Sequence, residues 1–202
     1  MIKLYDKEIK EIALKQLNNQ LISPMIIQDI ELSAFNYFPA ISLQFSNLLI
    51  KDPMANSDTL LFAKKAFLNF DAYDLINKIY IVRKLVLKNG SLSAKVSADG
   101  KENFNVFVSN NKPENKNFKF SLDQLNLKDF SVNYQNIPLI QEYDFTISDS
   151  KLKGQFSNKE YDLNILASML VNKFDLEGVN YINSKNANTE IILHVINNPF
   201  SL

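Results

Sequence analysis

The stretch that decides the fold lies near the middle of the chain and reads IYIVRKLVLKNGSLSAKV over residues 79–96. Its apolar side chains alternate with polar ones, a period of two that is typical of a β-strand with one apolar and one wet face. The Asn89-Gly90 pair predicts a tight hairpin turn, after which the alternation resumes at Leu92.

The same alternation occupies most of the chain on either side of this stretch. Asp99-Gly100 predicts a second hairpin turn, and residues 110–117 are polar enough to form a long loop. The sequence therefore predicts a mainly β fold, a long antiparallel meander. Periodicity alone favours a closed β-sandwich or barrel over an open groove.

Helix is expected only at the start and at one short crossover. Residues 5–21 carry an apolar stripe at helical spacing, and Pro24 cannot continue the helix, so an amphipathic helix is expected to pack on the sheet. We expect one elongated domain over residues 1–202. Its parts are the helix in 1–23, a first β segment over 24–109 with a short helix at 72–78, the loop at 110–117, and a second β segment over 118–202.

A weak repeat supports an array of similar units. The pattern Leu-x-(Leu/Ile)-Lys-(Asp/Asn) begins at Leu48, Leu85 and Leu125, at spacings of 37 and 40 residues. A period of this size indicates that one supersecondary unit is added at a time. With so little helix to cover the apolar face, the sheet must curl on itself or be covered by a ligand.

Composition excludes several functional classes. The 202 residues contain no cysteine, one histidine and 22 residues of each charge sign. A thiol nucleophile, a disulfide framework and a histidine or cysteine zinc site are thereby excluded. Zero net charge with a single arginine argues against binding of nucleic acid.

No apolar run is long enough for a membrane-spanning helix, and residues 1–10 do not resemble a signal peptide.

The candidates for catalysis are few and scattered. Asp71, Asp74 and Asp99 could serve as acids or bases, but acidic residues beside turns are usually helix caps or solvated. His194 lies in an alternating strand, where a surface role is expected. We therefore expect no enzyme activity, no metal site and no cofactor.

Four segments resemble, in the same order, segments of AsmA-like proteins. They are residues 35–43 (FNYFPAISL), 58–66 (DTLLFAKKA), 74–87 (DLINKIYIVRKLVL) and 99–104 (DGKENF), the last with Phe104 in place of a tryptophan. The resemblance covers residues 5–108 well and continues loosely beyond them. It implies relatedness to TamB and the chorein proteins, and thus a β-groove with an apolar inner face. It also implies a place in the bacterial periplasm, an N-terminal inner-membrane anchor and a role in phospholipid transport toward the outer membrane.

The chain departs from that family in two ways. The anchor is missing, so we expect the chain to begin just after it. Roughly a dozen short strands spaced ~4.8 Å apart would give a groove only ~55 Å long, which predicts one segment of a bridge or a small relative.

The expected ligands are phospholipid acyl chains, shielded by apolar contact without a specific polar site. The candidate groove residues are Leu43, Phe45, Leu60, Phe62, Ile81, Leu85, Leu87, Phe120, Leu122, Val132, Tyr134, Phe145 and Ile147. A different class of function, a structural or assembly protein that binds partner strands at its sheet edges, stays open. The 26 asparagines, many in expected turns, predict short and interrupted edges.

Overall fold

A computed structural model of the chain describes residues 10–11, 14–15, 17–19, 21–33, 40–55, 58–71, 73–74, 77, 79–106, 118–155 and 160–196. Long β-strands dominate these ranges. The strands are β1 (Met25–Ile26), β2 (Asp29–Ser33), β3 (Ala40–Lys51), β4 (Thr59–Asp71), β5 (Tyr80–Val96), β6 (Phe118–Asn136), β7 (Gln141–Lys153), β8 (Glu160–Leu176) and β9 (Val179–Ile196).

All nine strands belong to one sheet. Strands β3 to β9 are neighbours in chain order. The short strands β1 and β2 both pair with the edge of β3 that faces away from β4. The sheet is curled and unclosed, and strands account for 74% of the structure. The predicted mainly β, groove-forming sheet is thus confirmed, and the alternative of a closed barrel is wrong.

The expected antiparallel meander is wrong at one place, where β5 and β6 pair in parallel from Tyr80↔Phe118 to Val96↔Asn136. Parallel neighbours need a connection that returns to the starting end of the strand, and residues 97–106 are the described part of this connection. The connection begins with the predicted Asp99-Gly100 turn, in which the Gly100 amide donates to the Ser97 carbonyl at 2.9 Å.

The strands are fewer and longer than expected, partly because the predicted turn at Asn89-Gly90 is not a turn. Strand β5 runs straight through Asn89-Gly90, and Asn89 has a left-handed φ of 53°. Asn47 in β3 and Asp129 in β6 have φ values of 51° and 49°. Register places these three residues in one line across the sheet, a feature that we call the crease.

The crease changes which residues point inward. Inward positions alternate by two along most of a strand, but at the crease they lie three apart, as between Phe45 and Leu48 or between Leu87 and Gly90. The structural repeat is therefore 43–47, 85–89 and 125–129, on three parallel strands. The first copy of the repeat therefore begins at Leu43, five residues before the Leu48 that the sequence pattern predicts.

The helical expectations are only partly within the described residues. Residues 10–11, 14–15 and 17–19 are helical, and Leu14, Leu17 and Leu21 pack against the buried core. The predicted packing of an amphipathic helix on the sheet is confirmed for these side chains. Residues 73 and 74 are helical, and most of the expected 72–78 helix lies outside the described residues.

Candidate apolar groove

The concave inner face of the sheet carries unbroken rows of apolar side chains that run across the strands. The longest, which we call the leucine row, has one member on each strand from β3 to β9. Its members are Leu43, Leu68, Leu85, Leu125, Leu152, Ile165 and Ile191. With strands ~4.8 Å apart, the six intervals of this row span about 29 Å.

Two further rows on the inner face are equally apolar near the crease. The first joins Leu48, Ala63, Gly90, Phe130, Ile147 and Met169. The second joins Ile50, Leu61, Leu92, Val132, Phe145 and Val171. Between the leucine row and these two rows lies one more inward row, and the inner face as a whole is a mainly apolar trough with its long axis perpendicular to the strands. The members of this intervening row are Phe45, Ala66, Leu87, Leu127, Ser150, Ala167 and Thr189.

Aromatic rings line the trough beside these rows. Tyr134, Tyr143 and Phe174 form a ladder on adjacent strands, with ring centroids 5.6 and 4.5 Å apart and nearly parallel planes. Phe104, from the segment after the Asp99-Gly100 turn, leans over Tyr134 at 6.3 Å. Stacked rings present broad apolar surfaces at low conformational cost.

One end of the trough is roofed. Leu17, Leu21 and Val106 close over the inner side chains of β3 to β5 and leave a cavity of about 220 Å³ lined almost wholly by apolar atoms. The Ile22 amide donates to the Val106 carbonyl at 2.8 Å, which joins the two parts of the roof.

A buried polar pair holds the roof in place. Asn103 and Asp52 are almost fully buried, and Asn103 Nδ2 donates to Asp52 Oδ2 at 2.8 Å. Asn103 Oδ1 accepts from the Lys95 amide at 2.7 Å, and Asp52 Oδ1 accepts from the Met54 amide at 2.7 Å. Because buried polar groups are costly unless they are paired, this pair fixes the position of Phe104.

The other end of the trough is open. Along the leucine row, exposure rises from 0% at Leu43 to 39% at Ile191. The trough thus changes from a closed core at β3 to an exposed apolar surface at β9.

The convex outer face has the opposite character. Lys128 pairs with Asp149 at 3.2 Å, and Lys173 Nζ lies 2.7 Å from Glu142 Oε2. Hydrogen bonds to Glu142 and Asp175 raise the pKa of Lys173 above its ordinary value. These charged pairs make the β6 to β8 part of this face suited to water, and the more apolar surface there is the inner face.

The structure brings most of the sequence-predicted groove residues together. Leu43, Phe45, Leu60, Leu87 and Ile147 are buried in the core, with Leu85, Val132 and Phe145 partly buried against it. Tyr134 belongs to the aromatic ladder.

Three predicted groove residues are placed differently, and a fourth cannot be compared. Phe62 pairs with Leu49 and Ser91, one step out of phase with the inward rows, so its side chain lies on the outer face. Ile81 stands outside the buried cluster, because a register shift brings Val82 inward instead. Leu122 is buried away from that cluster. The side chain of Phe120 lies outside the described residues.

Sequence reasoning missed several lining residues beyond the crease, among them Leu48, Leu92 and Phe130. The available signal was the asparagine or aspartate in the middle of β3, β5 and β6, since these residues tolerate left-handed backbone better than others.

The residues considered for catalysis do not converge. Asp71 Oδ1 accepts from the Tyr73 amide at 2.8 Å, which confirms the expected capping role. Hydrogen bonds from Lys101 and Ser97 lower the pKa of Asp99 to about 2. His194 Nδ1 lies 2.9 Å from Asp162 Oδ1 on an exposed strand. Within the described ranges, no group of three or more acidic or histidine side chains could hold a metal ion.

Comparison with known proteins found no matching family model, no significantly similar curated protein and no significantly similar solved structure. Among the residues that the structure describes, no helix has the length and apolarity needed to cross a membrane.

Proposed function

We propose that the protein is a non-catalytic lipid-binding module whose trough shields the acyl chains of phospholipids. The observation that carries this proposal is the leucine row, seven apolar side chains in register across seven strands. The hydrocarbon core of a bilayer is about 30 Å thick over two leaflets, so one acyl chain extends over roughly 15 Å. The unroofed part of the row, from Leu125 on β6 to Ile191 on β9, spans three strand intervals or about 14 Å, which matches one chain lying along the trough.

The change in exposure along the trough supports the same proposal. Apolar surface next to water is unfavourable by about 25 cal/mol per Å², and the β3 end avoids this by means of its roof. The β6 to β9 end has no comparable cover within the described residues, so an acyl chain would remove its apolar rows from water. Headgroups would stay toward solvent, and no specific polar site is needed.

The resemblance to AsmA-like segments supports a setting for this activity. We place the module in the periplasm, attached to the inner membrane through an anchor, where it would contribute to phospholipid transfer toward the outer membrane. The trough has the length expected of one segment in a longer route for phospholipid transfer.

A second candidate is a structural or assembly protein that binds a partner strand at its sheet edge. The observation that favours it is β9, an edge strand of 18 residues. The asparagines of β9 lie within the strand and do not interrupt it, so the expectation of short edges is wrong here.

Lipid binding can be tested with a matched pair of valines. Val132 is half-buried on the inner face, in the row of Leu92 and Phe145, and Val86 is half-buried on the outer face between Phe67 and Asn126. Native mass spectrometry after incubation with phosphatidylethanolamine and phosphatidylglycerol should show lipid adducts on the parent protein. Val132→Lys should lose most of them, because its ammonium group would lie among acyl chains.

Val86→Lys is the control and should bind lipid like the parent, since its charge lies on the polar face. Circular dichroism would confirm that both variants keep the sheet. A parent protein that stays lipid-free, or equal binding by the two variants, would contradict the proposal and favour the assembly function.

A further inference from the structure

The two edges of the sheet are protected very differently. At one edge, β1 and β2 shield β3 as two short strands separated by a break. At the other, β9 pairs with β8 from Leu176↔Val179 to Glu160↔Ile196, and no described strand pairs with its far side. Long edge strands are templates for further pairing, and proteins normally blunt them with charges, prolines or bulges.

The second half of β9 carries apolar side chains on both faces. Ile191 and Leu193 point inward, opposite Ile165 and Leu163, and are 39% and 46% exposed. Ile192 points outward and is 67% exposed. A strand that is apolar on both faces is typical of the interior of a sheet with both faces covered, not of a solvated edge.

We propose that a second copy of this chain pairs its β9 antiparallel to this one, around a twofold axis perpendicular to the sheet at Ile192. Such an axis brings the same patch of the two subunits together. It also pairs residues of the inner face of one copy with residues of the inner face of the other. Centred on Ile192, it sets Ile191 opposite Leu193 and Ile192 opposite its own equivalent.

The outer face favours the same register. There Glu190 lies opposite His194 of the second copy, twice by symmetry, a pairing that is favourable between opposite charges when the imidazole is protonated. His194 already contacts Asp162 at 2.9 Å, so its imidazole would lie between two carboxylates. The overlap also stops short of Ser184, whose φ of 52° bends the strand.

The second copy would extend the trough as well as cover the edge. The leucine row ends at Ile191, and in this register the partner's Leu193 and Leu163 continue the apolar surface into its own inner face. The pairing itself does not depend on lipid; only the joining of two lipid paths rests on the proposed function.

Because the chain has no cysteine, one introduced cysteine can report the register. Directly paired antiparallel residues have Cα atoms about 4.5–5.5 Å apart, within the range of about 4.4–6.8 Å that a disulfide spans. Ile192→Cys should therefore form a covalent dimer under mild oxidation. Tyr181→Cys is the matched control, since Tyr181 is 63% exposed on the same strand but lies outside the overlap, and it should stay largely uncrosslinked.

The mass of the protein in solution supplies the second measurement. Light scattering after gel filtration should give a dimer for the parent and for Tyr181→Lys, and a folded monomer for Ile192→Lys. A monomeric parent, or equal crosslinking at positions 181 and 192, would overturn the proposal. A dimer that survives Ile192→Lys would mean that another surface joins the copies and would overturn it as well. If Val132→Lys loses lipid but stays a dimer, pairing through β9 is independent of lipid binding, and the two proposals stand or fall separately.

Discussion

Gly90 lies directly beside the crease, where the space for a side chain is very small. Replacing it with alanine should therefore destabilise the sheet strongly. A Cβ atom added at Gly90 would lie 2.1 Å from the Phe62 carbonyl oxygen, 2.6 Å from Phe130 Cε2 and 2.9 Å from Ala63 Cα. The ring of Phe130 could shift, but the other two atoms belong to the backbone of β4. Strands β4 and β5 would therefore have to separate by roughly 1 Å to restore van der Waals distance.

The cost can be assembled from two contributions. Overpacking a filled site costs about 1–3 kcal/mol, and disturbing two ladder hydrogen bonds beside Gly90 adds about 1 kcal/mol each. We expect Gly90→Ala to lower the free energy of unfolding by about 3–5 kcal/mol. With a urea dependence of about 2 kcal/mol per molar, the unfolding midpoint should fall by about 2 M.

Urea titration followed by circular dichroism measures this change, with Gly100→Ala as the control. A Cβ at Gly100 meets nothing within 4 Å, but its φ of +78° is left-handed, so the control reports backbone strain alone, at about 1–2 kcal/mol. A Gly90→Ala midpoint that matches the parent, or that falls less than the control, would refute the steric argument.

Two further predictions concern the crease and the turn. Asn89→Val should lower the free energy of unfolding by about 1–2 kcal/mol, because a β-branched residue is strained at a φ of 53°. Asn89→Gly should stay near the parent, and Asn133→Val, without positive φ, is the control for valine; equal effects at the two positions in urea would contradict this. For Asp99, carboxylate titration by NMR should give a midpoint of about 2, which Lys101→Met should raise toward 3.8. Because the folded pKa is the lower one, this carboxylate stabilises the fold above pH 3.8 and loses that effect as pH falls toward 2, and an unchanged midpoint in Lys101→Met would contradict the assigned cause.

The groove prediction was right for most residues on both sides of the crease, and it was wrong at Phe62, where one alternation was extended through the crease on β4. Leu43, Phe45, Leu85 and Leu87 are inward as predicted, because alternation holds along uninterrupted extended backbone. Phe62 lies on the outer face because the inward phase shifts by one residue at the crease. A one-residue shift exchanges the two faces of a strand, so a single left-handed residue can invalidate every later assignment on that strand.

The pairing of β5 with β6 was beyond the reach of local patterns. Their alternation is the same whether the neighbours are parallel or antiparallel, because each strand alternates in either direction. The parallel pairing depends on the connection between the strands, which local patterns do not specify. The roof was likewise hidden, since the buried contact of Asn103 with Asp52 joins residues 51 positions apart.

The sequence by itself determined the mainly β class, the apolar and polar faces, and the exclusion of cysteine and histidine-cluster chemistry. These properties follow from composition and from the alternation of side chains, which each residue shares with its immediate neighbours. Tertiary structure alone decided the direction and register of the strands, the alignment of the leucine row, and which end of the trough is roofed. Those features arise from contacts between distant segments, whose free energy depends on simultaneous packing and hydrogen bonding that no short stretch of sequence contains.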